Sequence, residues 1–435
     1  MRNYFENIAY NFAAQTICLG AGLLSNIIVA RLLGPEGKGI IVLLSNYISI
    51  LVIIFMFGMS EGNAYYLSKG SYAHSDVLST DFFHTIAMTI VFFALSLLLK
   101  NVLTATFLKG IPTQFFYISL FLFPVQFIYL HFITILQGNK KLKDYSLSFV
   151  IRSITLLILQ IFLIPIWNVS GGIVALILSV IIINVFNVTK LLQTNFNLRI
   201  PNFNFLRDSL LFGIKSQVGL LLNFFERRLD YFIVNLFLEP VQVGLYSAAV
   251  IIAELPWYLP NAVGTVIFPE ITSKKKEEAY RFVAFVCRNT IFITLIITVI
   301  IGFLSGILVK FIFGSRFIAS ILPLQILLPG IIFLALNRII CVGFSGTGRP
   351  ELGTLTVVFS FIMTLVLDLL LIPKSGIKGA SLASTVSYFT SALAGLIIFH
   401  KISHLPFADI ILFKISDLKK YSVITKYIRS FKKDG

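Results

Sequence analysis

The sequence predicts an all-α protein embedded in a membrane along its whole length, with about twelve transmembrane helices in two six-helix lobes. Three observations lead there. Hydrophobic residues make up 57% of the chain and charged residues 12%, against about 25% charged in a soluble domain, and mean hydropathy is +0.92. Apolar runs of roughly 20 residues, bounded by charge, Gly or Pro, recur from one end to the other. The second half of the chain repeats the first.

In chain order the first six runs fall at 9–30, 40–58, 82–100, 113–136, 146–165 and 171–190. The second six fall at 209–237, 242–268, 284–308, 318–341, 352–372 and 377–400. Backbone groups in hydrocarbon must be satisfied within their own segment, and these runs lack the alternation of barrel strands, so they are helices. The first run is long, contains Asn11 and Gln15 and is followed by further spans, which is not the pattern of a cleaved signal peptide.

The repeat has three signatures. LLGPEGKGI, with Pro35 and Gly39, has the same P-x-x-x-G spacing as FLEPVQVGL, with Pro240 and Gly244. Leu136–Pro165 aligns without a gap to Phe344–Pro373. Gly172-Ile173 and Gly376-Ile377 then open the next run in each half. Offsets of about 205 residues in all three places indicate one duplication of a six-helix unit. This organises the chain into residues 1–200, residues 201–403 and a basic tail, residues 404–435. Parallel repeats of this kind are related by an axis along the membrane normal.

Lys and Arg collect on one side. Lys140, Lys141, Lys143, Lys190, Arg199, Arg207, Lys274, Lys275, Lys276 and Arg281, with the basic tail, outweigh Arg31, Lys38, Lys100, Lys109, Lys310, Arg316, Lys374 and Lys378 in the opposite loops. The positive-inside rule therefore places both termini in the cytoplasm. In the tail, Ile411, Ile415, Leu418, Ile424, Ile428 and Phe431 recur at near-helical spacing among lysines. A helix lying on the anionic inner leaflet and a solvated tail that fixes topology are both compatible with that pattern.

The net charge of +16 does not indicate nucleic acid, because the cations sit at helix ends and form no aromatic-interleaved basic surface. Cys18, Cys287 and Cys341 lie in apolar runs with no C-x-x-C and read as packing residues. No metal or other cofactor is expected: His400 and His404 have no third ligand nearby, and the HExxH and Walker A patterns are absent.

ARLLGPEGKG after the first span, LDYFIVNLFLEPVQVGLYSAA with FPEIT around the seventh and eighth, and LIPKSGIKGASLAS before the twelfth resemble a known group of transporters. They are similar to the polysaccharide-transporter branch of the multidrug/oligosaccharidyl-lipid/polysaccharide exporter superfamily, the Wzx-type flippases of O-antigen and related surface glycans. The resemblance runs over nearly all of the chain. It implies a two-lobed, non-enzymatic transporter in the cytoplasmic membrane that turns undecaprenyl-pyrophosphate-linked oligosaccharide from one leaflet to the other. It also implies contact with membrane lipids and with other polysaccharide-assembly membrane proteins.

Such a cargo needs a polar, cationic cavity, and a charge near the bilayer centre costs roughly 2.5–3.5 kcal/mol on insertion scales, so ionisable residues inside spans are the candidates. The basic ones are Arg152, Lys215, Arg227, Arg228, Arg288 and Arg338; the acids are Glu61, Glu226, Asp230, Glu254 and Asp368. At 100° per residue, Lys215, Gly219, Asn223, Glu226 and Asp230 share a sector of about 80° on span seven, with Arg227 beside it. That stripe either lines the cavity or forms internal ion pairs with Arg227 and Arg228.

Arg152, Arg288 and Arg338 are candidates for bidentate pyrophosphate contacts. All three lie toward cytoplasmic span ends, where snorkelling is the competing reading. Asp368 occupies the repeat position of Gln160 and suits either proton or sodium coupling or an interhelical hydrogen bond, and Glu61 and Glu254 share those two readings.

Two other functions compete. The same fold can carry another cargo, as a drug/cation antiporter or a peptidoglycan-precursor flippase, but a cavity for cations should be acidic and the intramembrane arginines here are numerous. A membrane glycosyltransferase or polymerase needs an extramembrane loop with an acid/base pair, and the loops at 59–81 and 191–208 contain none that is convincing.

Overall fold

The computed structural model describes residues 2–192 and 199–417, and for residues 2–9, 192 and 215 the backbone alone. Every regular element among them is helical: α1 (Arg2–Met56), α2 (Met59–Lys69), α3 (His74–Leu98), α4 (Lys100–Ala105), α5 (Thr113–Leu120), α6 (Leu122–Gly138), α7 (Leu142–Leu192), α8 (Phe203–Phe237), α9 (Pro240–Ala253), α10 (Tyr258–Ser273), α11 (Lys276–Phe313), α12 (Ile321–Gly346), α13 (Pro350–Ser375), α14 (Ile377–Ser403) and α15 (Phe407–Ile411). Nine stretches among the described residues are long and apolar enough to cross a membrane. Two of them, Tyr10–Met56 and Leu142–Leu191, have 47 and 50 residues. At about 1.5 Å per residue each is more than twice the hydrocarbon thickness.

Each is two helices joined by a single reversing residue. In α1 the break is Gly34, at φ 70°, and Pro35 opens the next helix where its missing N–H is no loss. In α7 the break is Asn168, at φ 49°. With both counted twice, and with the 35-residue α8 added, the helices account for the predicted spans. Arg207, Asp208, Lys215, Glu226, Arg227, Arg228 and Asp230 make α8 the most charged of them.

The reversal at Gly34 overturns one expectation. Hydropathy places Lys38 in a loop outside the membrane, yet its side chain is fully buried. Its Nζ donates to Asn26 Oδ1 at 3.0 Å and lies 5.4 Å from the centre of the Phe313 ring. Residues 12 apart would be about 18 Å apart along a straight helix, so the bond requires the chain to fold back at once.

The backbone carries the repeat more sharply than the side chains do. Lys140 and Gly348 both have positive φ, and Asn168 and Gly376 do likewise. Each pair is 208 residues apart, the offset of Leu136–Pro165 against Phe344–Pro373. The turn bonds agree: Lys141 N donates to Leu136 O at 3.0 Å, and Arg349 N to Phe344 O at 2.8 Å. A Cβ built on Gly171 would lie 2.1 Å from Leu163 O, and one on Gly379 would lie 2.3 Å from Leu371 O. The equivalence at this corner therefore joins Asn168 to Gly376 and Gly171 to Gly379. The pairing of Gly172 with Gly376, made from the shared Gly-Ile, is corrected by that register.

The other motif pair meets in space. A Cβ on Gly39 would fall 1.8 Å from Pro240 O, and one on Gly244 would fall 1.8 Å from Pro35 O. The two P-x-x-x-G segments thus cross reciprocally, backbone on backbone, as small residues allow in membrane helices.

The chain divides into two compact units, Met1–Ser247 with Ile312–Phe317, and Ala248–Phe311 with Ile318–Gly435. In the first, Val29, Ile41 and Ile164 bury one apolar cluster at the early reversals. In the second, Ile271, Val283, Cys287, Ile339, Phe344 and Phe399 form a core to which α15 adds Ile410. The described start of the tail docks here: Phe413 stacks on Phe292 at 4.3 Å, and Asp417 is buried. Leu418, Ile424, Ile428 and Phe431 of the proposed amphipathic tail helix lie outside the described residues.

Replacing Gly39 or Gly244 by Ala should destabilise the protein by about 1–3 kcal/mol, the usual cost of overpacking. Gly20→Ala, with no atom within 4 Å of the added carbon, should stay within about 0.5 kcal/mol. Thermal unfolding of the purified protein in detergent checks both.

Candidate functional site

The start of α8 is fixed by Asn202, whose Oδ1 accepts from the backbone N–H of Asn204 and Phe205 at 3.1 Å each. Its depth is fixed by glycine: a Cβ on Gly213 would lie 2.0 Å from Gly58 O, so the helix crosses its neighbour with backbones touching. Gln217 Nε2 adds a hydrogen bond to the Ile53 carbonyl.

Beyond that crossing the polar stripe begins. Lys215 has only its backbone described. At Gly219 no atom lies within 4 Å of where a Cβ would sit, and Asn223 is exposed, with its Nδ2 donating back to Gly219 O at 2.7 Å. Deeper along α8 the stripe becomes buried. Glu226 and Asp230 are 6% and 5% exposed. Tyr246 of α9 donates its hydroxyl to Asp230 Oδ2 at 2.6 Å, and Tyr231 N donates to Asp230 Oδ1 at 2.8 Å. Arg227 and Arg228 are half-buried on either side of that turn. Arg228 Nη1 donates to Arg227 O at 3.2 Å, and its guanidinium lies 5.7 Å from the centre of the Tyr231 ring.

The other candidates sit in separate places. In the first unit, Arg152 of α7 donates to Gln126 Oε1 at 2.9 Å and stacks over Tyr129 at 4.8 Å. Glu61 of α2 has a buried Oε2 with no hydrogen-bond partner among the described residues. In the second unit, Arg338 of α12 has its Nε 3.7 Å from where a Cβ of Gly264 would lie, so that glycine makes room for the guanidinium. Asp368 is wholly buried in α13, at the repeat position where Gln160 accepts from Ser25 Oγ at 2.5 Å. Glu254 is half-buried at the end of α9.

Arg288 is committed to the tail. Its Nε and Nη2 reach the two carboxylate oxygens of Asp417 at 2.5 and 2.6 Å, and Nη1 donates to Asp409 O at 2.9 Å. This is a bidentate clamp that ties the segment after α14 to α11.

Sequence reasoning missed a second buried polar cluster. Asp81, His84 and His131 lie inside the first unit with Asn63, all at most 4% exposed. The signal was present, since both histidines fall inside predicted spans. Asp81 lies one residue before the third predicted span, at 82–100.

Removing one partner of a buried ion pair strands the other, at a cost of about 3–5 kcal/mol. Asp417→Ala should therefore destabilise the second unit by that order and open the chain after α14 to limited proteolysis. Tyr246→Phe should cost less, about 1–3 kcal/mol, by leaving Asp230 one donor short.

The sequence profile described as "polysaccharide biosynthesis protein" matches residues 4–275. A protein of Haloferax volcanii described as a probable low-salt glycan biosynthesis flippase is 26% identical over 196 residues, which span 44% of this chain and 42% of that one. The chain thus spans less than half the length of that relative. An uncharacterized membrane protein of Methanocaldococcus jannaschii is 24% identical over 400 residues, covering 87% of this chain and 93% of its own. Among solved structures, the lipid II flippase MurJ in an inward closed conformation superposes with a TM-score of 0.77 at 15% identity, over 92% of this chain and 88% of that chain. An inward-facing multidrug transporter of the MATE family superposes at 0.62 and 16% identity, over 88% and 94%. At those identities the likeness is one of fold. The match over residues 4–275 reaches across most of the chain, and the protein belongs to the polysaccharide biosynthesis protein family.

Proposed function

We propose that the protein is a flippase that moves an oligosaccharide linked through pyrophosphate to a polyprenyl carrier, such as undecaprenyl, between leaflets of the cytoplasmic membrane by alternating access. The observation that supports it best is the stripe on α8. Gly219 and Asn223 face open space on a stretch of α8 that exposes apolar Leu211, Phe212, Ile214, Val218 and Leu220 together with Ser216, and the stripe leads to Arg227 and Arg228. An amide exposed to hydrocarbon is costly, so a face of this kind belongs to a wet cavity. Guanidinium at its deep end suits pyrophosphate oxygens.

Family membership and the Haloferax relative's description as a glycan biosynthesis flippase point the same way. In this reading both termini are cytoplasmic, Arg338 and Arg152 supply further anion contacts, and the carboxylates of α8 hold the arginines in place. The repeat halves, residues 1–200 and 201–403, are the moving parts. Polysaccharide-assembly membrane proteins would deliver and receive the cargo.

A fluorescent lipid-linked oligosaccharide in proteoliposomes tests the reading. Wild type should flip it, and Arg227→Ala, Arg338→Ala and Asp230→Ala, at matched folded yield, should each slow flipping by about tenfold or more, as expected for losing a charged hydrogen bond. Undiminished flipping by all three variants would refute the site. Transport of a cationic dye in place of the lipid would refute the cargo.

A further inference from the structure

The second buried cluster has the construction of a proton path. Asp81 and His84 lie on α3, His131 and Thr134 on α6, and Asn63 on α2. His131 Nδ1 is 3.1 Å from Asp81 Oδ1, and His131 Nε2 is 3.4 Å from His84 Nδ1. Asn63 Nδ2 donates to Asp81 Oδ2 at 2.7 Å and lies 3.3 Å from both Thr134 Oγ1 and His131 Nδ1, which holds the carboxylate beside the imidazole. The three titratable groups are strung in a line and do not converge on a point, and among the described residues no trio is set to hold a metal ion.

Both ends of the line reach a cavity. Asp81 and His131 line one of about 540 Å³, walled by Phe82, Val125, Ile128 and Val185. His84 lines another of about 450 Å³, walled by Phe57, Met88, Leu206, Leu210 and Ile214. His84 Nε2, buried at that end, has no hydrogen-bond partner among the described residues. The walls are almost wholly apolar. A packing pin would be satisfied at both ends, whereas this chain of donors and acceptors ends on a buried ring nitrogen that no described group meets.

The groups facing the cluster are few. From α2 it is met by Asn63, from α3 by Thr85, from α6 by Thr134 and from α7 by Asn184, whose Nδ2 is bonded to Val125 O at 2.8 Å. α8 offers only apolar side chains to the cavity beside His84. No lysine or arginine is among the residues that line either cavity. Asp81, His131 and His84 are themselves the titratable residues among those linings.

From this geometry we infer that Asp81, His131 and His84 form a proton-binding relay joining the two cavities, and that its loading is coupled to the transport cycle. A proton passed from His84 Nδ1 to His131 Nε2 makes an imidazolium facing the Asp81 carboxylate. Loss of the Nδ1 proton to Asp81 Oδ1 returns a neutral imidazole with its proton on Nε2 and leaves a carboxylic acid. One proton is taken up at the His84 end and one is released when Asp81 ionises. Each ring is then the Nε2 tautomer, and the line resets when His84 and His131 each give up the Nε2 proton and regain one at Nδ1 by exchange with water, with no net proton moved. The coupling rests on the transporter reading above; the proton binding does not.

Nitrogen NMR of the full-length protein in lipid nanodiscs, with histidine labelled, reads the relay directly. His131→Gln and His84→Gln identify the signals. In wild type the ring nitrogens of His131 and His84 should exchange a proton with one another, and Asp81→Asn should abolish that exchange. A His131 ring fixed in one tautomer, or one that ignores Asp81→Asn, would overturn the proposal. Because the wild-type spectrum needs no variant to fold and no cargo to move, failure of the flippase reading leaves it intact. The coupling is read in proteoliposomes that flip the labelled lipid. There a pH gradient should accelerate wild type by about tenfold and leave His131→Gln unaffected, and equal acceleration of both would remove the coupling.

Discussion

Hydrocarbon offers no partner to a backbone amide, and this one constraint shapes the chain. It forbids wide loops at depth, so the polypeptide must turn sharply or not at all. The protein reverses on single residues, Gly34, Asn168 and Gly376, each at positive φ. After the two later reversals the returning helix packs so tightly that Gly171 and Gly379 have no room for a side chain. Where helices cross, the same economy recurs at Gly39 against Pro240, Gly244 against Pro35 and Gly213 against Gly58. Close approach takes the place of a hydrophobic driving force that lipid cannot supply between apolar helices.

The same solvent explains why the polar groups are worth following. A charge inside a span survives only if it is paired, hydrogen-bonded or wet. The structure contains the first two cases in plain form. Arg288 is closed on both sides by Asp417 and Asp409 O, and Asp230 accepts from Tyr246 and from its own turn. α8 grades from one case to the other along its length, open at Gly219 and Asn223 and enclosed at Glu226 and Asp230. The stripe thus changes surroundings along the helix, from open turns to enclosed ones.

Much of the fold was legible because hydropathy and internal repetition are properties of the whole chain. The predicted spans coincide with helices, including the charged α8, since length and patterning override a few charges. What was not legible depended on single residues. A glycine that turns the chain in one step looks like the start of a loop, which is why Lys38 was placed outside and is found buried over Phe313. A shared Gly-Ile dipeptide misled the register at Gly376, because the conformational equivalent of that glycine is an asparagine. The arginines of α8 were visible as charges in an apolar run. The line from Asp81 through His131 to His84 was legible only in part: Asp81 and His84 stand three apart on α3, but no spacing along the sequence joins them to His131 on α6.

The duplication also shows where the two halves have parted. Carried along α6 and α12, the offset of 208 residues sets His131 opposite Ile339, which is fully buried in an apolar core. It sets Arg152 opposite Ser360 and Gln160 opposite Asp368. Backbone positions that reverse and pack alike thus hold an imidazole in one half and an alkyl chain in the other, or a neutral amide in one and a carboxylate in the other. A scaffold needs only the shared glycines and reversals to stand. Ionisable groups that differ between copies of one fold answer to what each copy does, because burying them costs stability that the packing alone did not require.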